Sequence, residues 1–371
     1  MYLTKSRTAV LAALTAMIVL LSGCGGNTNG ETSANSSQSK GSSSAKADSS
    51  SANVTPKSET YFIFDTVVTV KIYDNKAEKQ NFEDIRSLLE DIDSKISRTS
   101  EVSEISKVNK ASGQAPVKVS ADTFELVSKA LDYARRTDGQ FDPAIGNLVT
   151  LWNIGHEGAH VPPADQIEKA QKLCDYRKIQ MKAETNEIYL EEAGMSIDLG
   201  SIGKGYAADV IADYITGHGF KSAIIDLGGN VFAVGQKLGG KNWTIGIQDP
   251  DKERGNPIGN ISVDNKTIVT SGIYERFFIE NGKLYQHIIN PKTGYPVDNN
   301  LSSVTIVTDR SADADALSTT TFVLGVDEGL KFVENIPNTE ALFITKDKKL
   351  YATSGFKQML KKTNDDYTFA N

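Results

Sequence analysis

The sequence predicts an α+β fold, in which a single compact body of mixed strands and helices follows a disordered N-terminal tether. Strand-like segments rich in Val, Ile and Thr fill the middle of the 371-residue chain, whereas helix-like segments cluster towards its flanks. This arrangement differs from the regular strand and helix alternation of a βαβ protein. About 313 residues remain after the N-terminal region, which is within the reach of one body with its own core.

The first 23 residues are typical of a secretory signal. Lys5 and Arg7 provide a positive start, and residues 9–21 form an apolar run that is too short for a membrane span. The run ends in Leu-Ser-Gly before Cys24, a stretch that resembles the lipobox of bacterial lipoproteins. The resemblance implies that Cys24 is acylated and that residues 1–23 are removed. The alternative is an ordinary signal with an incidental cysteine.

Residues 24–58 consist mostly of Ser, Gly, Asn, Ala and Lys. Such a segment cannot bury enough apolar surface to offset the entropy of ordering. A flexible linker of about 35 residues has a typical end-to-end distance of roughly 30–35 Å. We therefore expect residues 24–58 to tether a domain of residues 59–371 to the extracytoplasmic face of a bacterial cell membrane.

Strands and helices alternate from about residue 60 onwards. Ile85, Leu89 and Ile92 recur at helical spacing, and Ser120 is placed to cap a helix that stops near Gly139. The elements predicted for the first half are a strand over 61–73, helices over 78–96, 120–139 and 163–173, and a hairpin of strands over 178–182 and 187–191.

The second half is predicted to be dominated by strands between two helical regions. One helix covers residues 203–215, and two late helices cover 312–323 and 326–334. The predicted strands cover residues 222–226, 231–234, 243–247, 267–270, 276–280, 283–289, 302–307, 341–345 and 350–353.

The charge balance and the cysteine count exclude two classes of protein. The chain has 40 Lys and Arg residues against 47 Asp and Glu, a net charge of −7. This balance argues against a protein that mainly neutralises nucleic-acid phosphates, and it means that any anionic ligand must be bound by local positive charge.

Two cysteines cannot form a disulfide framework. We expect Cys24 to be the lipid attachment point and Cys174 to be an inert thiol beside a helix end.

Residues 156–160 match the H-E-x-x-H pattern of zinc proteases. That chemistry needs a helix, so that the two histidines share one face with the glutamate beside them. Gly155 and Gly158 interrupt the segment, and two prolines follow it. We therefore interpret these residues as a solvated loop.

Two glycine-rich turns are candidates for ligand binding. Residues 198–205 run from a short strand through a glycine-rich turn into a helix. Exposed amides at such a helix start can receive phosphate, and Lys204 adds a positive charge, although the glycines can also be purely geometric. Residues 226–230 join two apolar strands, where a tight hairpin and a role in a site are equally compatible with the sequence.

A histidine and a set of oxygen-bearing side chains complete the candidates. His287 lies at a strand end beside a turn rich in Pro and Gly, where it could serve as a general base, although a lone histidine is more often structural. Asp315, Ser318 and Thr319 are spaced i, i+3 and i+4 and so share one helical face. Such a face suits a hard cation such as Mg²⁺, but taken alone it is more often a cap or a solvated surface.

Together these segments resemble the ApbE family, the FAD:protein FMN transferases, over roughly residues 60–353. Each segment alone is weak evidence, but their joint occurrence in the family's order is specific. The segments cover residues 64–66, 97–109, 141–149, 198–209, 226–230, 270–272, 287–296 and 314–319. The resemblance implies a single ApbE-like body that is related to the T-fold.

The resemblance implies an enzyme that cleaves the pyrophosphate of FAD and transfers FMN to a Thr or Ser hydroxyl of an extracytoplasmic acceptor protein, releasing AMP. In this reading His287 corresponds to the histidine that acts as base. The residues implied to line the FAD site are Phe64, Thr99, Phe141, Asp142, Pro143, Ala144, Asp198, Lys204, His287 and Ile288. The implied Mg²⁺ ligands are the Ser201 carbonyl, Asp315, Ser318 and Thr319.

Four positions depart from the family pattern. Phe64 replaces the usual Met, and Thr99 stands where many members have an aromatic residue that can stack on the flavin. Asn290 replaces the usual Asp after the histidine, and Ser318 replaces an Asp of some relatives.

The sequence is compatible with two alternative functions. One is an FAD pyrophosphatase, in which water replaces the protein hydroxyl, and the other is a flavin-binding lipoprotein without catalysis. The expected partners are FAD, an acceptor flavoprotein of an electron-transfer system and the membrane, with no role for nucleic acid.

Overall fold

The computed structural model describes residues 54–371. The predicted signal, Cys24 and most of the predicted tether lie outside the described residues. The first strand begins at Lys57, two residues before the predicted start of the domain. Within residues 54–371 no helix is both long enough and apolar enough to span a membrane.

Helices and strands alternate irregularly along the described residues. The helices are α1 (Lys79–Ile96), α2 (Glu104–Lys110), α3 (Ala121–Arg136), α4 (Gly146–Trp152), α5 (Ala164–Lys172), α6 (Gly203–Gly217), α7 (Ser311–Val333) and α8 (Ser354–Met359), with a 3₁₀ turn at Tyr176–Lys178. The strands of the first half are β1 (Lys57–Ile63), β2 (Thr66–Ile72), β3 (Val117–Lys118), β4 (Ile179–Lys182) and β5 (Glu187–Leu190). The later strands are β6 (Ser222–Leu227), β7 (Asn230–Gly235), β8 (Trp243–Gln248), β9 (Pro257–Val263), β10 (Lys266–Gly272), β11 (Phe277–Glu280), β12 (Lys283–Gln286), β13 (Leu301–Thr308), β14 (Glu340–Thr345), β15 (Lys349–Ala352), β16 (Leu360–Lys362) and β17 (Thr368–Phe369).

The main sheet has nine strands in the order β1-β2-β6-β7-β10-β13-β14-β15-β17, and all neighbouring pairs except β15 and β17 are antiparallel. Every residue of β13 is buried, because both faces of the sheet are covered there. Val304 and Ile306 pack in the core that includes α7. Val307 packs in the core that includes β8 and β9. An antiparallel sheet with separately grouped helices confirms the predicted α+β class.

The single strand predicted over 61–73 is wrong, because the structure has a hairpin there. Ile63 pairs with Thr66, so Phe64 and Asp65 form a two-residue turn with φ angles of 56° and 53°. Such turns match the twist of the flanking strands, but they usually contain Asn-Gly or a similar pair. The Phe-Asp pair gives no such signal, and the turn directs Phe64 into the cleft described below.

Several short elements were not predicted. Helices α2 and α4 have seven residues each, too few to show a helical repeat. Strand β9 was also missed, although it lies at the centre of a three-stranded sheet between β16 and β8. The two predicted late helices are confirmed, since α7 is broken at Gly325, where φ is 81°.

Helices α6 and α7 approach each other closely at Gly205. A Cβ at Gly205 would lie 2.1 Å from the carbonyl oxygen of Ser311. The close approach allows the Gly205 amide to donate to Oδ2 of Asp315 at 2.9 Å. Further along α6, Asp209 accepts hydrogen bonds from the amides of Ser311 and Ala312 at 2.7 and 3.0 Å, and burial raises the pKa of Asp209 to about 6. This packing fixes the N-terminal end of α7 against α6.

We expect Gly205→Ala to lower the free energy of unfolding by about 1–3 kcal/mol, because the added methyl group would overlap the backbone of α7. Chemical denaturation of the purified protein measures the difference. Gly217→Ala is the matched control in the same helix, because its methyl group would meet nothing within 4 Å. The control should leave stability unchanged or raise it by up to about 1 kcal/mol. Equal decreases in the free energy of unfolding for the two variants would show that the close contact of α6 with α7 at Gly205 is not the cause.

Candidate active site

A cleft of about 490 Å³ lies where the β1–β2 turn, the start of α6, the segment after β12 and α7 meet. Most of the predicted site residues form its wall. These are Phe64, Thr99, Phe141, Asp142, Asp198, Ser201, Lys204, His287, Ile288, Asp315 and Thr319. Pro143, Ala144 and Ser318 are buried and lie outside the wall.

Residues 142–144 shape the cleft through their hydrogen bonds. Asp142 accepts bonds from the amides of Ala144 and Tyr176 at 2.8 and 3.0 Å. Burial raises the pKa of Asp142 to about 6, and these two bonds oppose the rise. The carbonyl of Pro143 accepts a bond from the amide of Asp198 at 2.9 Å. Pro143 and Ala144 therefore position two carboxylates of the wall.

Asp198 forms an ion pair with Arg98, which was not predicted. Its Oδ2 lies 2.7 Å from Nε of Arg98, and its Oδ1 accepts a bond from the Gly200 amide at 2.8 Å. Arg98 also donates to Oγ1 of Thr150 at 2.7 Å. The only available signal in the sequence was the position of Arg98 directly before Thr99. The pair orients Asp198 at the entry to the glycine-rich turn.

His287 is held in an orientation suited to a base. Its backbone amide donates to the carbonyl oxygen of Arg276 at 3.1 Å, and its Nδ1 lies 3.2 Å from the same oxygen. A carbonyl oxygen can only accept, so this contact assigns the proton to Nδ1 and leaves Nε2 unprotonated. Burial, together with the positive charges of Lys204 and Arg276, lowers the pKa of His287 to about 4. The imidazole is therefore neutral and able to take a proton at pH 7.

Four cationic side chains line the cleft, although the whole chain has a net charge of −7. Lys204 was predicted, whereas Arg98, Arg254 and Arg276 were not. Arg254 donates to the carbonyl of Gly228 at 3.2 Å, and Arg276 donates to the carbonyl of Asp65 at 3.4 Å. These side chains offer positive charge to an anionic ligand, next to the six carboxylates that also line the cleft.

The predicted cation ligands are grouped at the start of α7. Asp315, Thr319 and Ser201 line the cleft, and Nζ of Lys204 lies 3.9 Å from Oδ1 of Asp315. The available donors are a carboxylate, a hydroxyl and a carbonyl, all of them oxygen atoms, and this donor set fits a hard cation. Within residues 54–371 no group of three His, Cys, Asp or Glu side chains is close enough to hold a metal.

Ser318 stands apart from the other predicted cation ligands. It is completely buried, its Oγ lies 2.8 Å from Oγ of Ser271, and it donates to the carbonyl of Asp315 at 2.9 Å. Ser318 therefore lies behind Ser271, which is itself part of the cleft wall.

The two remaining motifs are loops at the edge of the cleft. Residues 156–160 contain no helix, so the prediction of a loop is confirmed, and His156 lines the cleft. Residues 226–230 form the tight β6–β7 hairpin, with Gly228 and Gly229 at φ angles of 65° and 102°. The hairpin is therefore confirmed, and Gly228 and Asn230 place it at the wall of the candidate cleft.

Comparison with known proteins identifies the family to which this chain belongs. The model of the ApbE family matches residues 64–343. A Treponema pallidum protein named FAD:protein FMN transferase is 37% identical over 320 residues, which cover 82% of this chain and 88% of that protein. The chain belongs to the ApbE family.

Other ApbE relatives agree with this assignment. A Klebsiella pneumoniae protein with the name FAD:protein FMN transferase is 38% identical over 244 residues, covering 66% of this chain and 75% of that protein. The ApbE protein of Thermotoga maritima superposes with a TM-score of 0.76 at 31% identity, covering 83% of this chain and all of that one. The flavin transferase ApbE of Vibrio cholerae gives a TM-score of 0.71 at 27% identity, covering 82% of this chain and all of that one. The predicted family, the ApbE-like body and the prediction of an enzyme are confirmed.

In this ApbE member, Phe64 is the most accessible phenyl ring of the cleft wall. Thr99 lines the cleft without an aromatic ring, and Phe141 is only 3% exposed because it packs against Tyr133. Phe64 is half-buried at the tip of the β1–β2 turn. It is therefore the phenyl ring best placed to contact a planar ligand.

We expect Arg276→Gln to shift the acid limb of the pH–rate profile to higher pH. The positive charge of Arg276 helps to lower the pKa of His287, so its removal raises that pKa. A base acts in its neutral form, above its pKa, so the variant loses activity at a higher pH than the unchanged enzyme does. The rate of flavin transfer measured between pH 4 and 8 gives the shift. Arg254→Gln is the control, because Arg254 is not among the charges that lower the pKa of His287, and the acid limb of this variant should not shift. An unshifted acid limb for Arg276→Gln would contradict the prediction.

Proposed function

We propose that this member of the ApbE family transfers the FMN moiety of FAD to a Thr or Ser hydroxyl of an acceptor protein and releases AMP. The observation that supports this most directly is the neutral His287 ring, with Nε2 unprotonated, in a cleft lined by four cations. Relatives with 37% and 38% identity have the name FAD:protein FMN transferase. A base beside cationic side chains is the arrangement that favours attack of a hydroxyl on a pyrophosphate.

The proposed reaction is a single displacement at phosphorus. The acceptor hydroxyl attacks the phosphorus on the FMN side of the FAD pyrophosphate, and its proton passes to Nε2 of His287. A new P–O bond to the acceptor forms while the P–O bond to the AMP phosphate breaks, so the products are a protein phosphoester and AMP. Lys204, Arg254 and Arg276 offset the negative charge that develops on the phosphate oxygens and the leaving group.

We further propose that Mg²⁺ is the cofactor. When bound, the cation would neutralise charge on the pyrophosphate oxygens. Asp315, Thr319 and the Ser201 carbonyl would hold it, since these oxygen donors suit a hard cation. Ser318 is buried behind Ser271, so it stands behind this set in the structure.

The flavin ring is proposed to pack on Phe64. Since position 99 has no ring, the side of the cleft formed by the β1–β2 turn offers the accessible aromatic surface. Aromatic rings prefer an offset or edge-on contact that leaves ligand edges available for hydrogen bonds. The buried Asp142 and the Asp198–Arg98 pair lie on the same cleft wall and supply polar contacts.

The proposed location is the outer face of the cell membrane, with the lipid on Cys24 and residues 24–58 as the tether. This part of the proposal is supported by the sequence pattern alone. It is consistent with an acceptor that is itself a membrane-bound electron-transfer protein.

One experiment separates the candidate functions by their products. The purified protein is incubated with FAD, MgCl₂ and membranes from cells that lack it; protein-bound flavin is followed by in-gel fluorescence and AMP by chromatography. The proposal expects flavin-labelled protein and AMP in equal amounts. Free FMN with AMP and no labelled protein would identify an FAD pyrophosphatase. FAD retained without either product would identify a binding protein.

A further inference from the structure

Exposed apolar side chains are concentrated around the mouth of the cleft. Of the eight large apolar side chains that are exposed within residues 54–371, five lie on two hairpins, β1–β2 and β11–β12. Both hairpins are continuous with the cleft wall, since the first has Phe64 at its turn, and the second starts after Arg276 and ends before His287. The five side chains are those of Phe62, Val67, Phe277, Ile279 and Leu284.

The β11–β12 hairpin has one face against the body and one face in solvent. On the inner face Phe278 and Tyr285 stack with ring centroids 5.1 Å apart, and Tyr285 packs on Trp152. On the outer face Ile279 and Leu284 are cross-strand partners with 65% and 38% of their surface exposed. Phe277 lies two residues before Ile279, so it shares that face, and it is 44% exposed. We call Phe277, Ile279 and Leu284 the outer apolar face.

The two hairpins flank the same opening. Nη2 of Arg276, directly before β11, donates to the carbonyl of Asp65 in the β1–β2 turn at 3.4 Å. Near that turn, Phe62 and Val67 are cross-strand partners, and they are 73% and 55% exposed. Adjoining apolar side chains that face solvent beside a site are a common mark of a protein-binding surface.

The transfer reaction determines what must pass over this surface. The acceptor hydroxyl has to come within about 3 Å of Nε2 of His287. An extended chain advances roughly 3.3 Å per residue, so the residues beside the acceptor Thr or Ser reach about 10 Å to either side. Ile279 is three residues along β11 from Arg276 at the cleft wall, which corresponds to about 10 Å of extended chain. An acceptor segment that leaves the cleft along this hairpin would meet the outer apolar face.

We propose that the outer apolar face is the docking surface for the acceptor protein, where it receives apolar side chains of an extended segment next to the acceptor Thr or Ser. This inference rests on the proposed transferase function. Three side chains are far fewer than the roughly 20–30 residues per partner that a stable dimer interface uses, so a transient enzyme–substrate contact fits this surface better than a second copy of the chain. The contact serves specificity for the protein and not for FAD.

The test uses the double variant Ile279→Ser/Leu284→Ser and the control Leu238→Ser. Leu238 is 44% exposed on the loop between β7 and β8, and it does not line the cleft. Initial rates of covalent flavin labelling are measured at constant FAD and MgCl₂ against increasing amounts of membranes from cells that lack the protein. We expect the double variant to raise the apparent KM for the membranes at least tenfold. Its affinity for FAD should stay within twofold, because neither substituted residue lines the cleft.

The outcomes separate the docking inference from the function it rests on. If the unchanged protein labels no membrane protein, the proposed function and the inference both fail. If the unchanged protein labels an acceptor and the double variant has the same apparent KM as Leu238→Ser, only the docking surface is wrong. If the unchanged protein forms a dimer in sedimentation, and the double variant loses that dimer but keeps the same apparent KM for the membranes, the face serves self-association. That result would also overturn the docking inference. If the double variant fails to bind FAD, the single variant Ile279→Lys replaces it, because Ile279 is the most exposed of the three positions. Its apparent KM for the membranes is then compared with that of Leu238→Ser in the same way.

Discussion

His287→Ala is expected to abolish flavin transfer while FAD still binds. The unprotonated Nε2 is the proposed acceptor of the hydroxyl proton, and a positioned general base contributes about 10²–10⁴-fold to such a step. The ring occupies one part of a cleft of about 490 Å³ with many other contacts, so its removal leaves most of the binding surface intact. The labelling rate measures the loss, and titration of flavin fluorescence measures the affinity for FAD.

Two further variants identify the chemistry that is lost. His287→Gln can still donate a hydrogen bond towards the carbonyl of Arg276, but it cannot take up a proton, so it should be as inactive as alanine. His156→Ala is the matched control, because His156 lines the same cleft and has no proposed proton to accept. A His287→Ala enzyme with normal turnover would remove this residue from the role of base. Equal losses for His156→Ala would assign the effect to the cleft in general.

Asp315→Asn is expected to remove most of the Mg²⁺-dependent activity, by about 10²–10³-fold, which is typical for loss of one strong electrostatic contact to the transition state. Asp315 is the single carboxylate in the predicted ligand set, so asparagine removes its negative charge. The amide oxygen can still accept the hydrogen bond from Gly205, so the packing of α6 on α7 is retained. Labelling rates measured against MgCl₂ concentration should show a higher concentration for half-maximal activity.

Asp327→Asn serves as the control for the cation site. Asp327 is an exposed carboxylate of the same helix element, beyond the break at Gly325. Its substitution removes the same charge far from the predicted ligands and should leave the Mg²⁺ dependence unchanged. A normal Mg²⁺ response of Asp315→Asn would exclude this carboxylate as a ligand. Parallel losses in both variants would indicate a general effect of net charge.

Much of the body could be predicted because the relevant signals are local. The repeat of Ile85 and Leu89 predicted α1, and Ser120 predicted the start of α3, where its Oγ accepts a bond from the Thr123 amide. Helix α6 after the glycine-rich turn was predicted from apolar spacing in the same way. Caps and helical repeats act within a few residues, so a single sequence reveals them.

The missed features depend on contacts between distant residues. The Phe64-Asp65 turn has no turn residues of its own and is stabilised by the pairing of β1 with β2 and of β2 with β6. Arg98 and Asp198 are 100 residues apart in the chain, yet they form an ion pair of 2.7 Å. Arg254 and Arg276 likewise follow no pattern that would place them in a cleft. Charged residues are common on surfaces, so their identity alone does not reveal which ones face a ligand.

By itself, the sequence determined the class of fold, the family and the candidate residues of the site, because ordered motifs and local periodicity are written along the chain. Only the tertiary structure decided which candidates share the cleft and which support it from behind, as Pro143, Ala144 and Ser318 do. It also decided the state of His287, whose proton position and lowered pKa depend on the Arg276 carbonyl and on burial. The physical reason is that burial, hydrogen-bond partners and local charge are set by segments that meet only after the chain has folded.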